Sequence, residues 1–509
     1  MFELLGDGLV TILQWKYLVP LFLGTLIGIV GGSLPGVTIT MTIIVVVPFT
    51  FGLDPLQGLA TMTGVYVGGS AGGLVTASLL GIPGTPSAIA TTFDGFPMAR
   101  RGEPGRALWL GVWASFFGGL MGGAFLIFVT GPLAAIALEF GPWEFFSLFV
   151  LAMAMVAGLT EGSMVKGLIS TGIGLLITVI GTDPITSVPR FTFGSEFVRA
   201  GFPFLPVLIG VFAFAQIMTD VEKLGRPGTR AAAAARASAS LRVSQLKVLG
   251  EILSRPFLLV WSTVVGIAIG VLPAIGGSAA NMLAYDQAKK FSRHPEAFGT
   301  GTPEGIIASE SSNNANVGGS LVTIMAFGIP GDAVTAVMLG AMTIHGIQSG
   351  PLFVSQNPEL AYGIYAAYIL AHPIMVLILG VGTLFLLRVT RVRLAVLAPV
   401  VLVLCVIGAY ALNNTMQTVY VLLTFGIIGY VLVKLGFPLA PLILGLILGD
   451  QIELNLVRAI MTDADPLLFL TRPISAGLLA AAVLSVALAM WQHLRHQRRV
   501  ATADGETDF

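Results

Sequence analysis

Apolar runs of spanning length recur from about residue 17 to residue 491, separated by short polar stretches and repeated Gly-Pro interruptions. A helix needs roughly 20 apolar residues to cross the hydrocarbon core of a bilayer. The pattern predicts an all-α integral membrane protein of about 12 transmembrane helices, with room for re-entrant hairpins. The 63 Gly and 28 Pro predict broken, closely packed spans. At membrane depth such breaks survive only where protein or a water-filled cavity satisfies the freed backbone groups. The main polar gap, 220–255, is Ala/Ser-rich and carries Lys223, Arg226, Arg230, Arg236, Arg242, Lys247 and Arg255. That bias marks a cytoplasmic linker. It divides the chain into a first transmembrane repeat (1–219) and a second (256–472), followed by a final span and basic tail (473–509).

The two halves repeat each other. Gly28–Pro35 matches Gly266–Pro273, GGLVTASLLGIPG (72–84) matches GSLVTIMAFGIPG (319–331), and GFPFLPVLIG (201–210) matches GFPLAPLILG (436–445). The offsets are 238, 247 and 235 residues. Gly/Pro-rich apolar sequence matches itself easily, but three blocks in one order at near-constant spacing read as a duplication.

Charge then orients the halves. Arg100, Arg101 and Arg106 follow the first Gly-Ile-Pro-Gly block, whereas 332–351 has no Lys or Arg. The loops after the Leu-Pro blocks reverse the contrast: 48–58 has no Lys or Arg, and 286–296 has Lys289, Lys290 and Arg293. Opposite bias in equivalent loops is expected of inverted repeats, a hallmark of secondary transporters whose substrate site lies where the repeats meet. Arg190 and Arg199 disagree, since they fall in a loop this scheme places outside.

Composition narrows the class further. Hydrophobic residues make up 55% of the 509 and charged residues 10%, with zero net charge, against about a quarter charged in soluble domains. Lipid is the solvent for most of the chain, and nothing suggests nucleic acid. Cys405 is the single cysteine, which excludes an internal disulfide and a cysteine metal cluster. The opening MFELLGDGLV lacks the basic region and cleavage site of a secretory signal, so the first apolar segment is expected to be retained.

Two features could carry chemistry. In LLGIPGTPSAIATTF (79–93), Pro83 and Gly84 interrupt a helix, Thr85 suits an N-cap and Pro86 the first turn of a new one. Such a helix start offers free N–H groups and a positive dipole end to a carboxylate. Asp332 is the capping candidate in the matching GIPGD (328–332). The alternative reading is a pair of packing kinks. The second feature is EGIIASESSNNANVGG (304–319), whose polar run is costly in a membrane unless it lines a cavity. Its amide and hydroxyl oxygens, with carbonyls freed by unwinding, suit a hard cation. The alternative there is a solvated loop.

The candidate substrate-binding set is Pro35, Gly36, Pro83, Gly84, Thr85, Ser87, Asn313, Asn314, Pro330, Gly331 and Asp332. The coupling-cation candidates are Glu310, Asn313, Asn314 and Asp332. No Lys or Arg lies in 68–93 or 309–335, which favours cation symport with Na+ or H+ as the coupling ion and no other cofactor. The P-loop pattern of ATP-driven transport is missing. Gly68-Gly69-Ser70-Ala71-Gly72 fits the nucleophile-elbow pattern, but that pattern needs a strand–turn–helix and a base, and nothing ties His345 or His372 to Ser70. No histidine spacing suggests a metal. QHLRHQRRV (492–500) reads as a basic flank on the cytoplasmic side.

GGSLPGV (31–37), the stretches 66–108 and 304–351, and GFPLAPLILGLILGDQIELNLVRAI (436–460) together resemble the large membrane subunit of the bacterial tripartite tricarboxylate transporters. The resemblance runs over almost the whole chain outside 220–255. It implies a multi-span permease in the bacterial inner membrane, working with a small membrane subunit and an extracytoplasmic (periplasmic) solute-binding protein. It also implies uptake of carboxylates such as citrate on a sodium or proton gradient. Ser309, Ser311, Ser312, Thr323 and Ser349 depart from the family pattern, so citrate itself does not follow. A stand-alone carboxylate symporter and a membrane enzyme are the other readings.

Overall fold

A computed structural model describes residues 1–159, 163–183, 185–222, 241, 243–273, 275–390, 392 and 394–505. Most of the basic linker (223–240 and 242) and the side chains of 492–505 lie outside the described residues, and the readings of Arg226, Arg230, Arg236 and the basic tail lie there with them.

The first half runs α1 (Phe2–Leu13), α2 (Trp15–Ser33), α3 (Ile39–Thr50), α4 (Pro55–Leu80), α5 (Thr91–Arg100), α6 (Pro104–Leu138), α7 (Pro142–Leu159), α8 (Met164–Thr178) and α9 (Phe204–Glu222). A two-stranded antiparallel hairpin, β1 (Gly181–Thr182) with β2 (Pro189–Arg190), pairs Gly181 with Arg190 between α8 and α9. The second half runs α10 (Gln245–Leu253), α11 (Pro256–Val271), α12 (Gly276–Phe291), α13 (Pro303–Phe327), α14 (Ala333–Ile344), α15 (Pro358–Val389), α16 (Leu394–Asn413), α17 (Met416–Lys434) and α18 (Leu439–Thr462). α19 (Pro473–Gly505) follows and packs along α7.

The fold is all-helical apart from that hairpin, but the count differs from the expected dozen. Among the described residues, eight helices are long and apolar enough to cross a membrane, or nine if α10 and α11, bent by 77°, form one broken span. α4 and α13 are not among the eight, although both are long and wholly enclosed. Every residue from Gly58 to Leu80, and every one from Gly305 to Ala326, is buried. A helix that never meets lipid needs no apolar stripe, so Gly, Ser, Thr and Asn dilute its hydropathy below what a spanning signal requires.

The same element order appears twice. α2, α3, α4, α5 and α6 are matched by α11, α12, α13, α14 and α15, with a Leu-Pro break after the first helix and a Gly-Ile-Pro-Gly break after the third. The halves exchange partners: α6 lies along α13, α15 along α4, α9 along α17, and α18 along α8. Small residues permit this approach, since helix association in lipid depends on close backbone packing. A Cβ at Gly118 would lie 2.2 Å from the Ser311 carbonyl oxygen, and one at Gly174 would lie 2.0 Å from that of Leu442.

The basic loops gather at one end. Gly301 packs on Pro97 and Met98, Arg106 pairs with Glu103 and Glu251 at 2.6 Å each, and Arg255 reaches Glu304 at 3.0 Å. The Lys/Arg-free loops meet elsewhere, with Gly58 against Thr50 and His345. The two discordant arginines are neutralised locally: Arg190 pairs with Glu453 and lies 3.9 Å from Asp183, and Arg199 pairs with Glu196 at 3.1 Å.

Candidate functional site

Both breaks are built alike. α4 ends at Gly81 (φ 69°) and α13 at Gly328 (φ 71°), left-handed conformations that glycine adopts without a Cβ clash. Ile82 N–H returns to the Thr76 carbonyl at 3.3 Å, and Ile329 N–H to that of Thr323 at 3.4 Å. Three residues on, the chain is wedged against the preceding helices. A Cβ at Gly84 would lie 2.1 Å from the Gly32 carbonyl oxygen and 2.9 Å from the Gly73 Cα. A Cβ at Gly331 would lie 2.5 Å from the Gly270 carbonyl oxygen and 2.8 Å from the Ser320 Cα. These neighbours correspond to one another at the 238- and 247-residue offsets of the sequence match.

Beyond the glycines the breaks diverge. Asp332 caps α14 with a full capping box: its Oδ1 accepts from Thr335 N–H at 2.8 Å, and Thr335 Oγ1 accepts from Asp332 N–H at 2.9 Å. The first break departs from expectation. Pro86–Ala88 forms one tight turn, α5 starts only at Thr91, and the Thr85 side chain makes no capping bond. Thr85 Oγ1 instead lies 3.1 Å from Ser87 Oγ.

The polar run is not a solvated loop, and it is not unwound either. α13 is continuous from Pro303 to Phe327 and Glu310, Asn313, Asn314 and Asn316 are buried inside it. Its carbonyls are therefore committed to the helix, and the expected freed carbonyl ligands are not provided there. The side chains diverge around the helix axis. Asn313 Nδ2 donates to the Ser70 carbonyl on α4 at 2.9 Å. Glu310 accepts from Thr91 on α5 and from Ser115 on α6, the latter at 2.9 Å. The Asn314 main-chain carbonyl accepts from the Tyr368 hydroxyl on α15 at 3.1 Å, while its buried side-chain amide has no hydrogen-bond partner among the described residues.

The first turn of α12 joins the two breaks. A Cβ at Gly276 would lie 3.4 Å from that of Asp332. A Cβ at Gly277 would lie 2.9 Å from Asn313 Oδ1 and 3.1 Å from the Ser87 Cβ. This helix start has no side-chain cap, so its leading N–H groups lack intrahelical partners. Thr85, Ser87, Asn313 and Asp332 thus assemble around Gly276 and Gly277, with Pro83, Gly84, Pro330 and Gly331 shaping the backbone behind them. Gly36 neighbours α9: a Cβ there would lie 3.4 Å from the Asp220 carboxylate. The Asn314 amide is buried without a hydrogen-bond partner among the described residues, and Glu310 sits one turn away in its own pocket.

Several residues here escape sequence reasoning. Tyr66, the counterpart of Asn313 at the 247-residue offset, donates its hydroxyl to Asp332 Oδ2. Tyr66 of α4 thus reaches the break of the other half, while Asn313 of α13 reaches α4 itself at Ser70. Asn281 receives the Ala90 N–H at 2.8 Å and donates to the Ser309 carbonyl at 3.1 Å. Asp94 accepts from Tyr285 at 2.8 Å and from the N–H groups of Gly299, Gly301 and Thr302 at 3.0, 2.7 and 2.9 Å. The offset identifies Tyr66, but only the tertiary contacts identify Asn281 and Asp94. Ser70 donates to the Tyr66 carbonyl within α4, and the buried His372 packs on Gly119. No group of three or more His, Cys, Asp or Glu that could hold a metal is found among the described residues.

Enclosed polar helices inside a shell of apolar ones, with matched breaks at the centre, define a multi-pass membrane protein built for passage of a solute. Residues 18–444 match the model of the Tripartite tricarboxylate transporter TctA family, and the chain belongs to that family. It is 35% identical over 499 residues to an "uncharacterized 52.8 kDa protein in TAR-I ttuC' 3'region" of Agrobacterium vitis, covering 97% of both chains. An "uncharacterized protein in TAR-II ttuC' 3'region" of the same organism is 35% identical over 235 residues, 46% of this chain and 97% of its own. No solved structure matches the chain. The chain is thus a transporter component of a tripartite system, a class that implies partner subunits.

Proposed function

We propose that this chain is the large permease subunit of a binding-protein-dependent secondary transporter, taking up carboxylates across the bacterial inner membrane on a cation gradient. Its partners are a small membrane subunit and a periplasmic binding protein that delivers the substrate. The two halves face opposite sides of the membrane, a reading supported by the clustering of basic loops at one end.

The observation that carries the proposal is the uncapped start of α12, held at Gly276 and Gly277 between the two breaks. Its free N–H groups and dipole favour an anion, and the glycines let substrate oxygens approach the backbone. Ser87 and Asn313 supply polar contacts at the rim. Asp332 is not a ligand for a carboxylate, which it would repel. It caps α14 and anchors Tyr66, and Asn313 is the residue that meets the substrate.

Labelled carboxylates offered to proteoliposomes holding this chain and the small subunit test the proposal, with the purified binding protein added or withheld under an imposed sodium or proton gradient. Uptake that requires the binding protein supports it. Uptake without that protein makes the chain a self-sufficient symporter, and no uptake of any carboxylate sinks the substrate class.

A further inference from the structure

Glu310 is fully enclosed, and no Lys, Arg or His lies within ion-pair distance of it among the described residues. Its two carboxylate oxygens meet only hydroxyls, those of Thr91 and Ser115. A bare carboxylate is expensive in a low-dielectric interior unless it is neutralised. Around it lies a hydrogen-bonded cluster: Thr91 Oγ1 is 3.1 Å from Ser309 Oγ, and Asn281 Nδ2 is 3.5 Å from Thr91 Oγ1.

The cluster continues in one direction. Gly277, Asn281 and Tyr285 recur every fourth residue and so share one face of α12. Gly277 touches the candidate substrate site, Asn281 the Glu310 cluster, and Tyr285 the Asp94 carboxylate. Successive positions on that face are about 6 Å apart along the axis. Asp94 in turn holds the backbone of 299–302, where Gly299 and Thr300 are exposed at the end bearing the basic loops. Polar positions thus recur along that face of α12 from the breaks, past Glu310, toward that surface.

The other titratable groups on elements packed against α13 are engaged elsewhere. Asp94 on α5 is held by Tyr285 on α12 and by loop N–H groups, and Glu304 pairs with Arg255 beside α11. Tyr66 on α4 binds Asp332, which caps α14, and His372 on α15 bonds the Tyr368 carbonyl through Nδ1 at 2.8 Å. On α6, the facing polar group is Ser115 itself.

We propose that Glu310 is the carrier of the coupling proton: its carboxylate accepts a proton from bulk hydronium to become the neutral acid, and gives it back to bulk water on the side of Asp94 and Tyr285, with the Thr91 and Ser309 hydroxyls as the first relay. This rests on the transporter reading above and names its coupling ion. The pocket offers a sodium ion only the carboxylate itself and the Thr91 and Ser115 hydroxyls. The unbroken α13 also supplies no free carbonyl to complete a sodium shell.

The test needs no substrate. Infrared difference spectra of the purified full chain in lipid nanodiscs, titrated with pH, should show a protonated-carboxyl band that is lost in Glu310→Gln, kept in Asp332→Asn, shifted in Ser115→Ala and unchanged by sodium. A band that survives Glu310→Gln, or one displaced by sodium at constant pH, overturns the proposal. Thermal melts of Glu310→Gln matching the parent exclude misfolding, and Glu310→Asp should restore the band. In proteoliposomes, Glu310→Gln should lose proton-driven accumulation and keep substrate counterflow. Loss of both in a folded variant assigns Glu310 a structural role and overturns it. If the parent moves no carboxylate yet shows the Glu310 band, the function proposed above fails while the proton site stands.

Discussion

α4 and α13 carry the matching sequence blocks of the two halves, and they share a backbone frame while differing in side-chain chemistry. Both are enclosed throughout, both end in a left-handed glycine, and both are followed by a glycine jammed against the carbonyl of the Leu-Pro helix. Yet α4 carries no ionisable side chain within the buried span other than Tyr66, whereas α13 carries Glu310 and three asparagines. Backbone geometry is shared because close packing tolerates only small residues at the crossing points. Side-chain chemistry is free to diverge wherever it faces the interior between the halves. The resulting site is asymmetric although its frame is symmetric.

The largest effect should come from the shared frame. Gly84→Val and Gly331→Val each drive a side chain into backbone within 2.5 Å of the Cβ position. Overpacking of that kind costs about 1–3 kcal/mol or more, so both should lose monodisperse protein on size-exclusion chromatography. Tolerance of one and not the other would break the equivalence of the two breaks. Next, Asn313→Ala should abolish uptake with membrane expression retained, while Tyr66→Phe keeps uptake and loses about 1 kcal/mol of thermal stability. Equal loss of uptake in both variants would mean that chemistry, too, is shared between the halves.

Asp94→Asn weakens a carboxylate that gathers three backbone N–H groups and a phenol. Hydrogen bonds to charged groups contribute about 1.5–3 kcal/mol, so the melting temperature should fall. The Arg106–Glu251 pair is bidentate and partly exposed. A double-mutant cycle should give a coupling of about 1 kcal/mol or less, shrinking with salt.

The smallest effect concerns the hairpin loop, which has no counterpart in the second half. The Thr186 hydroxyl, then the Ile185 N–H, hold the Asp183 carboxyl below its ordinary range. The folded form therefore gains from Asp183 at pH above the unfolded carboxyl value and loses that gain as pH falls through the lower, folded value. Protection factors for hydrogen exchange over 181–199, corrected for the intrinsic pH dependence of exchange, should fall on acidification, and less so in Asp183→Asn.

Much of the frame was legible in the sequence. The Gly-Ile-Pro-Gly blocks place both breaks, and Asp332 reads as a cap because an acceptor before an apolar run satisfies free N–H groups. The loop charges assign Arg106 and Lys289 to one end because charge resists translocation. Local rules suffice there, since each feature depends on neighbours in the chain. The number of spans was less legible: enclosure removes the need for apolar side chains, so α4 and α13 lack the signal that lipid contact imposes.

The site was decided by tertiary structure. Nothing local brings Gly277 to Asn313 and Ser87, or Gly36 to Asp220. Glu310 shows the division most plainly. The sequence supplies a carboxylate in a polar run, but its hydroxyl-lined pocket exists only because α5, α6 and α12 converge on it, and burial without a counter-charge is a property of that convergence.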